Sequence, residues 1–156
     1  MAILKIINKK DPILRKHSRP VEEITPRIIR LLDDMKDTLH KAEGAGLAAV
    51  QVGVLRRVVL VETEPGELYE LINPEIIYRS EERQQKMEGC LSIPDEWGIT
   101  DRPMRVTVRA QNRKGEWYEV TGSDLKARAF CHELDHLDGI LFTDNAIRMI
   151  DPDELD

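Results

Sequence analysis

The sequence predicts an α+β fold in a single domain, residues 1–156, with mixed or antiparallel sheets packed around a C-terminal helix that carries an HExxH motif. Three observations predict it. A chain of 156 residues is long enough for one core and leaves little room for a second. Two stretches, one in the first third and one near the end, carry apolar residues at helical spacing. Between them the apolar runs are short, β-branched and bounded by turn residues, so helices and strands are segregated rather than alternating.

Each element has its own signal. "DPILRK" (11–16) reads as one short helical turn. "TPRIIRLLDDMKDTLHKAEG" reads as a helix, with Thr25 as N-cap and Pro26 at the first helical position. Its apolar stripe is Ile28, Leu31, Leu32, Met35, Leu39 and Ala42, and Gly44 is expected to stop it. "RRVVLVE" (56–62) is a short strand. "LYELINPEIIYRS" is expected as two strand pieces broken at Asn73-Pro74. "MRVTVRAQNRKGEWYEVTG" looks like a hairpin turning at Asn112 to Gly115. "SDLKARAFCHELDHLDG" gives the second helix, capped by Ser123 and ended by Gly139. The tail, from about residue 146, is expected to be loose.

The bulk composition narrows the function classes. A net charge of −6 gives no support to DNA or RNA binding. With 41% hydrophobic and 33% charged residues, the chain reads as an ordinary globular protein. No apolar run approaches a membrane span, and the N-terminus carries Asp11 and Pro12 too early for a signal peptide. The two cysteines, Cys90 and Cys131, cannot build a disulfide framework. The expected location is a reducing cytoplasm.

The chemistry is written in "FCHELDHLDG" (130–139). A helix turns about 100° per residue, so His132 and His136 lie about 40° apart on one face and can reach a single ion. Glu133 sits beside that face, better placed as a base acting on water than as a ligand. Two imidazoles leave a hydrolytic metal site one ligand short. A histidine six residues after the second would fall at 142, where Phe142 stands, and the only distant downstream glutamate is Glu154 in the tail. His17 and His40 have no visible link to this helix. Cys131 points about 120° away from the two imidazoles and reads as a small buried hydrophobe. Cys90 lies in "MEGCLSIPDEWG", where Gly89 and Pro94 mark a loop or strand edge. Its thiolate would complete a site that leaves one corner open, while a core thiol is the alternative.

Three stretches together carry a resemblance: "GAGLAAVQVG" (44–53), "EGCLSIP" (88–94) and "HELDH" (132–136). With the opening "DPILR", their order and spacing resemble the peptide deformylase family over about residues 5 to 145. The resemblance implies one α+β domain holding a divalent metal, natively ferrous iron in many members, that removes the N-formyl group from the initiator methionine of new polypeptides. It implies Cys90, His132 and His136 as metal ligands and Glu133 as the catalytic carboxylate. Gln51 and the backbone N–H of Leu91 are then expected to hold the oxyanion. Gly46 is expected to approach the substrate backbone, with Gly89 beside it and Arg102 near the substrate. The expected partners are the nascent formyl-Met chain and, transiently, the ribosome. The tail, short, acidic and broken by Pro152, offers no long C-terminal helix of the kind that docks some members there.

Other expectations come from residue chemistry. Leu125 and Ala129, seven and three residues before His132, share its face and are candidates for a methionine pocket. Arg128 on the same stripe is expected either to line the pocket with its stem or to pair with a carboxylate. One methyl is worth only about 1–3 kcal/mol in an accepting pocket, so choosing formyl over acetyl calls for a steric wall near Cys90–Leu91. Thiolate with two imidazoles suits zinc, iron, cobalt or nickel alike, and iron follows from the resemblance only. The rival readings are a zinc metallopeptidase, which casein cleavage would reveal, and a non-enzymatic structural metal site or metal-sensing module, a structural site normally needing a fourth protein ligand.

Overall fold

The structure, a computed structural model, describes residues 2–155. Among these residues two long helices, one short helix and eight strands make up the fold: α1 (Pro26–Ala42), β1 (Gly46–Ala48), β2 (Val58–Val61), β3 (Tyr69–Arg79), β4 (Arg83–Cys90), β5 (Ile93–Pro103), β6 (Arg105–Gln111), β7 (Trp117–Ser123), α2 (Leu125–Leu137), α3 (Phe142–Asn145) and β8 (Ala146–Met149). A five-stranded sheet has the order β1-β2-β3-β6-β7, and a three-stranded sheet the order β4-β5-β8. Neighbouring strands within both sheets run antiparallel.

The five-stranded sheet lies between the two helices. Leu32, Met35 and Leu39 of α1 pack with Val58, Leu60 and Ile72 on one side. Phe130, Leu134 and Leu137 of α2 pack with Val59, Val61, Val106 and Val108 on the other. Successive strand side chains face opposite ways, so β2, covered on both faces, is apolar throughout. Along β6, Val106, Val108 and Ala110 are buried while Arg105 and Arg109 face outward. Thr38, a polar residue inside the α1 stripe, is buried because its hydroxyl donates to Asp34 O at 2.7 Å and accepts from Leu4 N at 2.8 Å.

Several boundaries differ from the sequence expectation, each for a local reason. Thr25 and Pro26 begin α1 as expected. The left-handed residue that ends it is Glu43 (φ 55°), with Gly44 N–H donating to Leu39 O at 3.2 Å. Asn73-Pro74 does not break the strand. It makes a bulge in a continuous β3, with Asn73 (φ 53°) clamped to Val21 by two side-chain hydrogen bonds of 2.8 Å. Ser123 ends β7 instead of capping α2. Asp124 (φ 56°) is the cap residue, and its carbonyl accepts from Gln84 Nε2 at 2.9 Å. The hairpin turn at Asn112 to Gly115 is as expected, with Asn112 Oδ1 accepting from Lys114 N and Glu116 N. The β4–β5 hairpin is the element that sequence periodicity did not reveal. Nor is the tail loose from residue 146: Ala146–Met149 pairs with β5, and Ile150 N–H donates to Trp97 O at 2.8 Å.

The C-terminal end of α2 is firmly anchored. Leu137 O accepts from Ser18 N and from Arg57 Nη1. Gly139 then takes a left-handed φ of 74°, and a side chain there would collide with Arg15 O. The helix that carries the histidines is therefore fixed between a strand that feeds it directly and a glycine that no larger residue can replace without strain.

Candidate active site

α2 supplies His132, Glu133 and His136, all buried. The end of β4 supplies Cys90, half-buried. The Cys90 Sγ lies 3.4 Å from His136 Nε2, and the ligating atoms of Cys90, His132 and His136 all fall within 4.8 Å of one another. Among the described residues this group contains no fourth protein ligand. Cys131 is buried on another side of the helix, and burial pushes its thiol up to about 11.

The chemistry of the donor set fits a divalent ion. Thiolate and imidazole are the ligands of zinc and of the late first-row metals. Burial pushes His136 down and favours the neutral ring, the form that can ligate. His136 Nδ1 and Glu133 Oε1 are buried without hydrogen-bond partners, the kind of exception that marks functional atoms.

Behind His132 is a network that the sequence reading did not foresee. Glu88 Oε1 lies 3.0 Å from His132 Nδ1, which fixes the ring so that Nε2 is left to ligate. Arg102 grips the same carboxylate through Nε (2.9 Å) and Nη2 (3.0 Å), and reaches Asp135 Oδ2 through Nη1 at 2.7 Å. Burial raises the Glu88 carboxyl, and the hydrogen bonds and charges of His132 and Arg102 more than reverse this, leaving it at about 2. Arg102, expected near the substrate, is thus 5% exposed, committed to two carboxylates and absent from the cavity lining. The signal for Glu88 was present: it lies two residues before Cys90, the spacing of one strand face.

The other expected residues border one cavity of about 450 Å³. Gly46, Gln51, Gly89, Leu91, Leu125 and Ala129 line it together with Cys90, His132 and Glu133. Gln51 is buried and oriented by three groups. Its Oε1 accepts from Ala48 N at 2.9 Å, and its Nε2 lies 3.1 Å from Ser92 Oγ and 3.6 Å from Cys90 Sγ. Burial pushes the Glu133 carboxyl up to about 7, against the opposing pull of His132. A carboxyl balanced there at neutral pH can both take and return a proton. Trp97 lies across Gly89, where any side chain would collide with its ring. Arg128 lines the cavity, and among the described residues it pairs with no carboxylate: its Nη1 donates to Gln84 Oε1 at 2.7 Å.

A Cys/His/His group able to hold a metal, with a buried carboxyl beside it at the end of a cleft, is the arrangement of a metal-dependent hydrolase. Residues 3–151 match the family described as polypeptide deformylase. A peptide deformylase of Acetivibrio thermocellus is 55% identical over all of this chain and 91% of its own length. One from Caldanaerobacter subterraneus is 51% identical over all of this chain and 97% of its own. The crystal structure of peptide deformylase from Thermotoga maritima superposes with a TM-score of 0.90 at 35% identity, covering 94% of this chain and 99% of that one. The chain belongs to the peptide deformylase family, hydrolases that remove the N-formyl group from nascent polypeptides.

Proposed function

We propose that Cys90, His132 and His136 hold one divalent metal, ferrous iron in the native protein, and that the cavity beside them takes the formyl-methionyl end of a nascent chain. The reading is carried by one observation: three ligand atoms within 4.8 Å of one another, reached from two separate elements, with the unpartnered Glu133 carboxylate beside them. When bound, the metal supplies Lewis acidity, which can bring the pKa of water from about 16 toward 7. Glu133 takes the proton from the attacking water and returns it to the departing amine. The Gln51 amide and the Leu91 backbone N–H steady the charge that builds on the formyl oxygen, each such donor typically worth about 3 kcal/mol. Gly46 lets the substrate backbone come close, and Leu125 with Ala129 lines the side-chain pocket. The Cys90–Leu91 segment walls off acyl groups larger than formyl. We place this reaction in the cytoplasm, on chains emerging from a ribosome that the enzyme meets transiently.

The test is metal analysis of protein purified without oxygen, together with turnover of formyl-Met-Ala-Ser, N-acetyl-Met-Ala-Ser and casein. The expected result is one bound iron, loss of activity in air, and cleavage of the formyl peptide only. Air-stable activity would point to zinc, cobalt or nickel. Comparable turnover of the acetyl peptide would remove the steric wall, and casein cleavage would favour a metallopeptidase.

A further inference from the structure

Arg128 is a charge in the wall of a largely apolar cavity. Its neighbours along α2 on the cavity side are Leu125 and Ala129. Gln84 fixes its position. The two amide hydrogens of Gln84 are spent on Pro103 O (3.1 Å) and Asp124 O (2.9 Å), so its Oε1 is turned to Arg128 Nη1 at 2.7 Å. Gln84 is itself buried, which makes this a built contact rather than a passing surface one. The partner is a neutral amide, and no carboxylate among the described residues forms an ion pair with Arg128. Its Nε is buried and unpartnered. A held guanidinium of this kind favours a ligand that brings a hydrogen-bond acceptor.

The position selects the acceptor. Arg128 sits about one helical turn before His132. A methionine has three bonds between its Cα and its sulfur, a reach of the same order as the helical turn of about 5.4 Å that separates Arg128 from His132. A thioether is a weak acceptor and a sulfoxide oxygen a strong one. We infer that Arg128 makes this pocket accept formyl-methionine sulfoxide, so that the enzyme deformylates chains whose initiator methionine has been oxidised as well as those in which it has not. The inference rests on the assignment of Leu125, Arg128 and Ala129 to the methionine pocket. The reaction is the same amide hydrolysis, with water as the only co-reactant and formate as the product.

The test compares kcat/KM for formyl-Met-Ala-Ser, formyl-Met(sulfoxide)-Ala-Ser and formyl-norleucyl-Ala-Ser, whose side chain has similar length and no acceptor. The wild type should process the sulfoxide peptide within about tenfold of the methionine peptide. Arg128→Leu should lower the sulfoxide-to-norleucine ratio at least about tenfold, and Arg128→Lys should recover part of it. The corresponding products, Met(sulfoxide)-Ala-Ser and Nle-Ala-Ser, should show the same change of ratio in competition binding. Ala129→Leu, which fills the pocket, should raise KM for all three substrates. If Ala129→Leu leaves every KM unchanged, the pocket assignment fails and the inference with it. If Ala129→Leu acts as expected but the Arg128→Leu ratio stays that of the wild type, the role of Arg128 alone is refuted. A wild type that turns over the sulfoxide peptide more than about a hundredfold more slowly than the norleucine peptide overturns the inference without any variant.

Discussion

A side chain at Gly46 would stand 2.6 Å from Glu133 Oε2 and 2.7 Å from its Cγ. The glycine is therefore shaped as much by the enzyme's own carboxylate as by any substrate backbone. Gly46→Ala should push the Glu133 carboxylate aside, and a displacement of about 1 Å at a reacting group can cost roughly a hundredfold in rate. Metal content and melting temperature should stay close to the wild type. A kcat/KM equal to the wild type would show that Glu133 has room to spare.

Glu133→Ala should still bind one metal per chain while losing about 10²–10⁴-fold in kcat, the usual range for a missing acid-base group. Metal analysis and formyl-peptide turnover on the same sample decide it. Loss of metal would make Glu133 a structural support of the ligands instead.

The two cysteines should behave oppositely. Cys90→Ser should lose both metal and activity, and Cys131→Ser neither. In chelator-treated protein at pH 8, a thiol reagent should label one site per chain, because Cys131 is buried and its thiol is pushed up to about 11. Peptide mapping that found the label on Cys131 would contradict this.

The Glu88 network predicts a pH dependence of stability. Its carboxyl lies at about 2 in the folded protein against an ordinary 4.5. A lowered folded-state value means that the stabilisation is complete above the ordinary value and is lost as pH falls through about 2. Removing one partner of a buried pair is costly, so Glu88→Gln should lower the unfolding free energy by on the order of 3 kcal/mol at pH 7. The gap between wild type and variant in urea titrations should hold steady down to about pH 5 and narrow below it. A gap that does not change down to pH 3 would remove Glu88 as the source.

The parts of the fold legible in the sequence were those set by local patterning. Leu32, Met35 and Leu39 announced α1 by their spacing, and Asn112 with Gly115 announced a tight turn. HELDH placed two imidazoles on one helical face without reference to anything else. The β4–β5 hairpin stayed hidden because its interior is polar: Gln84, Glu88, Thr100 and Arg102 are buried there, satisfied by one another and by α2. Residues of that kind read as surface in any hydrophobic pattern. The contacts of Arg102 were hidden for the same reason, since its partners Glu88 and Asp135 are distant in sequence and meet only after folding. Asn73-Pro74 looked like a break because a bulge and a strand end share the same residue preferences, and only the clamp from Val21 decides between them.

The outermost strand of the small sheet, β8, has a practical consequence. It covers β5 next to Gly98, and the residue just beyond it binds the carbonyl of Trp97, whose ring rests on Gly89 beside Cys90. Trimming the polypeptide after Asn145 would bare a hydrogen-bonding rim one strand away from Cys90, inviting self-association there. The shortest fragment fit for crystallisation or inhibitor screening therefore runs past Ile150, and an affinity tag belongs further out still.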